Sequence, residues 1–297
     1  MTEAGDVHRA GHVAIVGRPS VGKSTLMNAL VGQKLSITSK KPQTTRYRIL
    51  GIETTANAQI AYVDTPGFQT RHRSALNDRL NRAVREALAD VDVVVFVLDA
   101  ARVTDADRAV VRLLPAEKPV VAAVNKIDLL PDKAVLLPRM AEMAQLFAFA
   151  AIVPVSAERG TQLAALRGEI VARLPQSPRL YPDDDLTDRD ERFLAAELVR
   201  EKIFRLLGDE VPYATTVAID AFALEGALRR IRATVYVDKA SQRAILLGEA
   251  GSRMKSIATQ ARQDMERLFG GKVFLEVFVR VKRGWAATDA SLVRFGY

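Results

Sequence analysis

Val13-Ala14-Ile15-Val16-Gly17-Arg18-Pro19-Ser20-Val21-Gly22-Lys23-Ser24-Thr25 decides the fold. Its first four residues are apolar and mostly β-branched, which reads as a short buried strand. They run into G-x-x-x-x-G-K-[ST], and Lys23–Leu30 follows as a helix-like stretch. Strand, glycine turn and helix in that order make a phosphate loop. The glycines let the backbone curl so that successive N–H groups face phosphate oxygens, and the helix N-terminus adds its positive dipole end. Lys23 can reach β- and γ-phosphates, and the Ser24 hydroxyl can ligate Mg2+. The pattern serves adenine and guanine nucleotides alike.

Outward from this loop, short β-branched runs alternate with longer amphipathic stretches. Strands are expected at His12–Val16, Arg48–Glu53, Gln59–Val63, Val93–Leu98, Val120–Val124 and Ile152–Val155. Helices are expected at Lys23–Leu30, Ala75–Ala89, Asp105–Leu114, Ala134–Phe147 and Gln162–Arg173. Such alternation predicts an α/β domain with a mostly parallel sheet and helices on both faces. Arg48–Val63 instead reads as a hairpin pair. The segment Leu174-Pro-Gln-Ser-Pro-Arg-Leu-Tyr-Pro-Asp-Asp-Asp continues neither pattern and reads as a linker. The expected division is a flexible N-terminus at 1–10, a nucleotide domain at 11–175, a linker at 176–190 and a second domain at 191–297. In that second domain Phe193, Ala196, Val199, Ile203 and Leu206 fall at helical spacing. Strand-like runs at Ala214–Phe222 and Ile231–Val237, a Gly-containing turn, a helix at Ser252–Phe269 and a strand at Val273–Val281 follow.

Composition sets the outer bounds. The 297 residues are 48% apolar and 26% charged, enough for two packed domains and too apolar for wholesale disorder. The longest run without a charge or amide, Leu146–Ala157, is 12 residues, far short of the ~20 that span a bilayer. The opening MTEAGDVHRA has no apolar signal-peptide core, so the cytosol is the expected compartment. With no cysteine, disulfide, thiolate and Cys-based zinc chemistry are excluded, and the scattered His8, His12 and His72 argue against a histidine metal cage. The net charge of +8 is unevenly spread. Residues 181–224 carry 5 basic and 11 acidic residues, and residues 225–297 carry 14 basic and 7 acidic. A basic module behind an acidic hinge suits a polyanionic partner, nucleic acid first and anionic membrane second.

The base is read elsewhere. Asn125-Lys126-Ile127-Asp128 follows an apolar strand about 100 residues after the phosphate loop. A carboxylate there can accept from N1–H and the 2-amino group of guanine, whereas adenine would leave Asp128 unpaired. Lys126 would lay its stem along the base. Ser156-Ala157 ends the next strand, and the Ala157 N–H is expected to donate to guanine O6. Asp64-Thr65-Pro66-Gly67 follows another strand. Asp64 can hold Mg2+ through water, and the Gly67 N–H can bond a γ-phosphate. A threonine of Gln43-Thr44-Thr45-Arg46 can bind Mg2+ only when γ-phosphate is present, which makes a switch.

Together these five motifs resemble the translation-factor-related GTPases. The resemblance implies GTP and GDP as ligands with Mg2+ on Ser24, Thr45 and, through water, Asp64, and puts Lys23, Thr45 and Gly67 in the catalytic roles. Two departures stand out. Phe68 occupies the place of a water-orienting glutamine, and an aromatic ring cannot orient water, so slow hydrolysis is expected. Relatives often carry asparagine at the position of Ser20, where it helps bind a potassium ion; serine puts potassium dependence in question.

The basic module carries Ile245-Leu-Leu-Gly248-Glu249-Ala250-Gly251-Ser-Arg253-Met-Lys255, a G-x-x-G loop read here between a strand and a helix. In KH folds such a loop admits a single-strand backbone. Gly248, Glu249, Ala250, Gly251, Arg253 and Lys255 are the expected RNA-contacting residues, although Glu249 stands where many such loops are basic. Met254, Ile257, Ala261, Met265 and Leu268 make the core stripe of the helix, leaving Lys255 and Arg262 for solvent or phosphate. Trp285 reads equally as a packing anchor or an RNA-facing ring. A GTPase domain followed by a type-II KH module, with Val211-Pro-Tyr213, Val281-Lys-Arg-Gly-Trp285 and the ending Leu292–Tyr297, resembles the Era family of bacterial GTPases across nearly the whole chain. The resemblance implies an α+β KH domain, binding to the 3′ end of 16S rRNA, assistance to 30S subunit assembly, a monomer, and peripheral association of some members with the inner membrane. Two other readings stay open: a membrane-surface regulator using its basic tail on anionic lipid, and a P-loop enzyme that modifies a small substrate.

Overall fold

The computed structural model describes residues 8–39, 41–42, 44–68, 75–208 and 210–285. Residues 1–7 of the N-terminus, Gln43 of the switch motif and the ending Leu292–Tyr297 lie outside the described residues. The chain forms two compact units. The first takes the described residues up to Ser36 and most of those from Thr45 to Asp188; the second takes those of 37–44 and those from Arg189 onward.

In the first unit the opening apolar run is the end of strand β1, Arg9–Val16. Helix α1, Lys23–Val31, follows the glycine loop. Strands β2, Ile49–Thr54, and β3, Ala58–Asp64, pair antiparallel as the expected hairpin. Then come α2, Ala75–Ala89; β4, Val93–Asp99; α3, Asp105–Val111; β5, Val120–Asn125; α4, Leu136–Ala144; β6, Ala151–Pro154; and α5, Leu163–Val171. The sheet order is β2-β3-β1-β4-β5-β6, parallel throughout except for β2. In β4, Val94, Phe96 and Leu98 pack on residues of α2, α3 and α4, and their neighbours Val93, Val95 and Val97 are equally buried. A strand covered on both faces reads as a continuous apolar run, which is why β4 was visible in the sequence.

The connection leaves β1 toward β3 on one side and β4 on the other. That reversal opens a crevice at the carboxyl ends of the parallel strands, where ligands of such sheets bind. The loops after β1, β3, β5 and β6 carry the phosphate loop, Asp64–Gly67, Asn125–Asp128 and Ser156–Ala157 respectively.

The stretch read as linker is strapped to the first unit. Gln59 on β3 accepts the N–H groups of Leu180 and Tyr181 through Oε1, at 2.7 and 2.9 Å, and donates to the Tyr181 carbonyl. His12 Nε2 and the Tyr181 hydroxyl are 2.8 Å apart. At the edge of the sheet, Leu50 N–H donates to Asp188 Oδ1 and Ile52 N–H to the Leu186 carbonyl.

The second unit is built from α6, Glu191–Leu206; β7, Thr215–Glu225; β8, Leu228–Val237; α7, Ala240–Leu247; α8, Ser252–Phe269; and β9, Lys272–Val281. Its sheet runs β7-β8-β9, with β7 antiparallel and β9 parallel to β8. The α6 stripe differs from expectation. Leu194, Ala195, Leu198, Val199, Ile203 and Phe204 are buried, while Leu206 is 40% exposed. Charged residues obscured the pattern: Glu197, Arg200, Glu201 and Lys202 are all buried, paired as Arg200–Glu197, Lys202–Glu201 and Lys202–Asp264. The same helix binds Thr38 and Thr44, with Arg200 donating to the Thr44 carbonyl at 2.6 Å and Thr38 N–H donating to Glu201 at 3.1 Å.

Helix α7 is a second correction. It turns the G-x-x-G loop from a strand–helix connection into a helix–helix connection. No helix was expected between the strand Ile231–Val237 and the loop, but Gln242 accepts the N–H groups of Asp238 and Lys239 and caps a helix start there.

Candidate nucleotide site

Gly22 closes the phosphate loop with φ +99°, and a Cβ on it would stand 2.4 Å from Asn125 Nδ2. Only glycine permits that backbone and that approach. Asn125 in turn donates through Nδ2 to the Val21 carbonyl at 2.9 Å and accepts the Ala157 N–H on Oδ1 at 3.0 Å. One buried amide thus knits the phosphate loop, the end of β5 and the loop after β6. The Ala157 N–H, expected to point at guanine O6, is directed to Asn125, so a base oxygen would share it.

Lys23 is buried and donates to the Arg18 carbonyl at 3.0 Å. Burial lowers its pKa from 10.5 to about 8, with Asp64 opposing the shift and Arg18 adding to it. A phosphate beside this ammonium would relieve that cost, the behaviour wanted of a β/γ-phosphate ligand. Asp64, also buried, accepts from Ser24 at 2.7 Å, Ser36 at 2.7 Å and Thr45 at 3.3 Å, all on Oδ2. Ser24 Oγ and Thr45 Oγ1 are 2.8 Å apart. Burial pushes the Asp64 carboxyl up against the pull of these hydroxyls and of Lys23. Asp64 Oδ1 is buried without a hydrogen-bond partner. An all-oxygen set of two hydroxyls and a half-satisfied carboxylate fits Mg2+, which favours few protein ligands and retains waters. Ser36 was absent from the expected residues; a serine between two apolar residues carries no motif.

On the base side, Lys126 donates to the Ser20 carbonyl at 2.7 Å and to Asp99 Oδ2 at 2.8 Å. The Ser156 hydroxyl donates to Asp128 Oδ1 at 2.6 Å, fixing the carboxylate expected to read guanine. Arg159 lies 3.9 Å from the other oxygen. Arg18 contacts Asp107 at 3.1 Å, tying the phosphate loop to the start of α3.

Two expected residues, Thr65 and Gly67, and the departure at Phe68 are held by contacts within the protein. Thr65 donates to the Ile15 carbonyl at 2.8 Å, so its hydroxyl is turned inward. Gly67 sits against Pro19, where a Cβ would stand 2.8 Å from the Pro19 Cα. Phe68 packs against the apolar core containing Val84 and Phe96. Ser20 is exposed with φ +63°, a left-handed backbone that asparagine adopts more readily than serine.

In the second unit the loop runs Gly248 (φ +71°), Glu249, Ala250 (φ +47°), Gly251 (φ +78°) between α7 and α8. Glu249, Ala250, Arg253 and Lys255 are exposed. Arg262, expected to be free, pairs with Glu266 at 2.8 Å. Trp285 is 1% exposed and its Nε1–H donates to the Ala214 carbonyl at 2.9 Å, which makes it a packing anchor. Met254, Ile257, Ala261 and Met265 are buried and Leu268 packs beside them, as expected.

Comparison with known proteins agrees with this division. A family model described as a 50S ribosome-binding GTPase matches residues 12–126, and a KH domain model matches residues 210–286. The GTPase Era of Nitrosomonas eutropha is 55% identical over 290 residues, covering 98% of both chains. The chain belongs to the Era family of GTPases. The GTPase Era of Chromobacterium violaceum is 54% identical over 286 residues, covering 96% of this chain and 97% of that one. Among solved structures, an Era crystal structure with MgGDPNP and nucleotides 1506–1542 of 16S ribosomal RNA matches with a TM-score of 0.94 at 36% identity, covering 98% of this chain and 99% of that one. A variant of Aquifex aeolicus Era bound to GDP·AlF4− matches at a TM-score of 0.93 and 36% identity, over 97% and 99% of the two chains. This Era-family chain is therefore a GTPase with a P-loop α/β domain followed by a KH domain, and guanine nucleotide and Mg2+ are its ligands. The membrane-regulator and small-substrate readings find no support in these relatives.

Proposed function

We propose that this Era-family GTPase binds 16S rRNA near its 3′ end through the Gly248–Gly251 loop and assists assembly of the 30S subunit. The observation that carries the reading is a complete nucleotide site in the same chain as a helix–loop–helix with exposed Arg253 and Lys255. The related Era structure holding 16S nucleotides supports the choice of RNA. In this reading Gly17–Thr25 and Asp64–Gly67 hold the phosphates, and Lys23, Thr45 and Gly67 stabilise the charge that develops on the γ-phosphate. Ser24, Thr45 and Asp64 hold Mg2+, which neutralises phosphate charge. Asn125, Lys126, Asp128, Ser156 and Ala157 select guanine.

Hydrolysis is slow because Phe68 is packed into the core and supplies no group to orient water. Ser20 offers potassium one hydroxyl, so potassium accelerates turnover weakly and Ser20→Asn strengthens that dependence. The protein works as a monomer in the cytoplasm, with peripheral contact to the inner membrane. Crosslinking the GTP-loaded protein to total RNA, followed by sequencing, tests the central claim. Enrichment at the 3′ end of small-subunit rRNA is expected; crosslinks distributed in proportion to RNA abundance would overturn it.

A further inference from the structure

Ser36 belongs to no nucleotide motif, yet it is 1% exposed and its hydroxyl donates to Asp64 Oδ2 at 2.7 Å. Its main chain is clamped on both sides by one residue. Asn28 donates through Nδ2 to the Ser36 carbonyl at 2.7 Å, and its Oδ1 accepts the N–H groups of Ser36 and Leu35 at 2.9 and 3.0 Å. Buried Leu35 and Ile37 anchor the chain to either side. Asn28 lies four residues after Ser24 on α1, hence on the same helix face. One stripe of α1 therefore delivers the Ser24 hydroxyl directly and the Ser36 hydroxyl through the clamp, both onto Asp64.

We propose that Ser36 is a positioning residue for Mg2+: it pins Asp64 through Oδ2, so that Oδ1 is the oxygen left to accept from a metal-bound water. The proposal rests on the assignment of Ser24, Thr45 and Asp64 to Mg2+. Ser24 and Thr45 also reach Oδ2, but each has a second duty toward the metal. Ser36 has none, so its bond to Asp64 persists whether or not the metal is held. Oδ1, buried and without a protein partner, is the complement of that arrangement. Partners of this kind hold metal-site carboxylates in one orientation, and their removal typically weakens metal binding by roughly 10–100-fold.

The test is release of a fluorescent GDP from the full chain, in excess Mg2+ and in EDTA, with a Mg2+ titration between. Wild type should release GDP more slowly with Mg2+. Ser36→Ala should release at the wild-type rate in EDTA, lose most of the slowing by Mg2+, and need roughly tenfold more Mg2+ for half effect. Ser36→Cys, nearly the same volume with a weak donor, keeps the test valid if the alanine variant does not fold, and should behave as Ser36→Ala. Variants that keep the wild-type Mg2+ midpoint, or that speed release equally with and without Mg2+, would overturn the proposal and make Ser36 a packing residue. A wild-type release rate indifferent to Mg2+ would overturn the metal assignment itself, and this proposal with it.

Discussion

Lys126 Nζ donates to Asp99 Oδ2 at 2.8 Å, linking the guanine-reading loop to the end of β4. The two strands deliver the pair, since Asp99 and Asn125 are register partners in β4 and β5. Asp99 also faces Arg18 at 3.8 Å and accepts the Ala101 N–H. Asp99→Ala should free Lys126 and lower the affinity for GTP and GDP alike by about tenfold, or ~1.4 kcal/mol. The loss should shrink in a Lys126→Ala background, as a double-mutant cycle of nucleotide titrations would read.

The same carboxylate gives a pH dependence. Burial alone would raise the Asp99 pKa, but hydrogen bonds from Lys126 and Ala101 and the charges of Lys126 and Arg18 hold it below the ordinary 3.8. A depressed carboxyl stabilises the fold above the unfolded-state pKa and loses that contribution as pH falls through the folded-state value. Urea unfolding should show Asp99→Asn less stable than wild type at neutral pH, with the gap closing below about pH 4. A gap that widens on acidification would contradict the assignment.

Asp128→Asn replaces the acceptor for guanine N1–H with an amide. Preference should move from GTP toward XTP, measured by competition against labelled nucleotide. The Ser156 hydroxyl can still donate to the new carbonyl, so the fold should tolerate the change. Unchanged affinities for both nucleotides would remove Asp128 from base reading.

Phe68→Ala separates catalysis from packing. Single-turnover hydrolysis should stay within roughly tenfold of wild type, or ~1.4 kcal/mol of barrier. Stability should fall by about 1–3 kcal/mol, because a partly buried ring leaves the core around Val84 and Phe96. A collapse of turnover by several orders of magnitude with nucleotide binding intact would give Phe68 a catalytic role.

Gly251→Asp places a carboxylate at the G-x-x-G loop, where nothing lies within 4 Å of a Cβ but φ is +78°. Single-stranded RNA binding should fall strongly and GTP affinity should hold, since the residues assigned to the nucleotide and Mg2+, from Gly17 to Ala157, belong to the first unit. Gly251→Asn, which tolerates that backbone without a charge, separates strain from repulsion. Filter binding at two salt concentrations, beside a labelled-GTP titration, reads both. Wild-type RNA affinity in a folded Gly251→Asp variant would reduce the loop to a turn.

The nucleotide site was legible because its chemistry is local. Gly17–Thr25 and Asn125–Asp128 each hold consecutive residues at the end of an apolar strand, and the strands themselves are buried on both faces. What stayed hidden depends on partners distant in sequence. Nothing around Ser36 announces Asp64, and nothing around Ala157 says that its N–H will meet Asn125. The α6 face was misplaced because Glu197, Arg200, Glu201 and Lys202 neutralise one another in the interior, which defeats a reading that sends charges to solvent. Helix α7 was missed because four apolar residues in a row fit a strand as well as a helical turn.

The strap at Leu186–Asp188 bears on where the chain can be divided. Leu50 and Ile52 point their amides away from the sheet, and both are occupied by the strap. A fragment ending after Pro175 would bare those two donors on an edge strand rich in apolar residues, inviting strand-to-strand pairing between molecules and precipitation. A fragment ending after Asp188 keeps the border sealed. The proline-rich stretch that resembles a dispensable tether is thus a seam, and solubility of the isolated first unit depends on which side of it the cut is made.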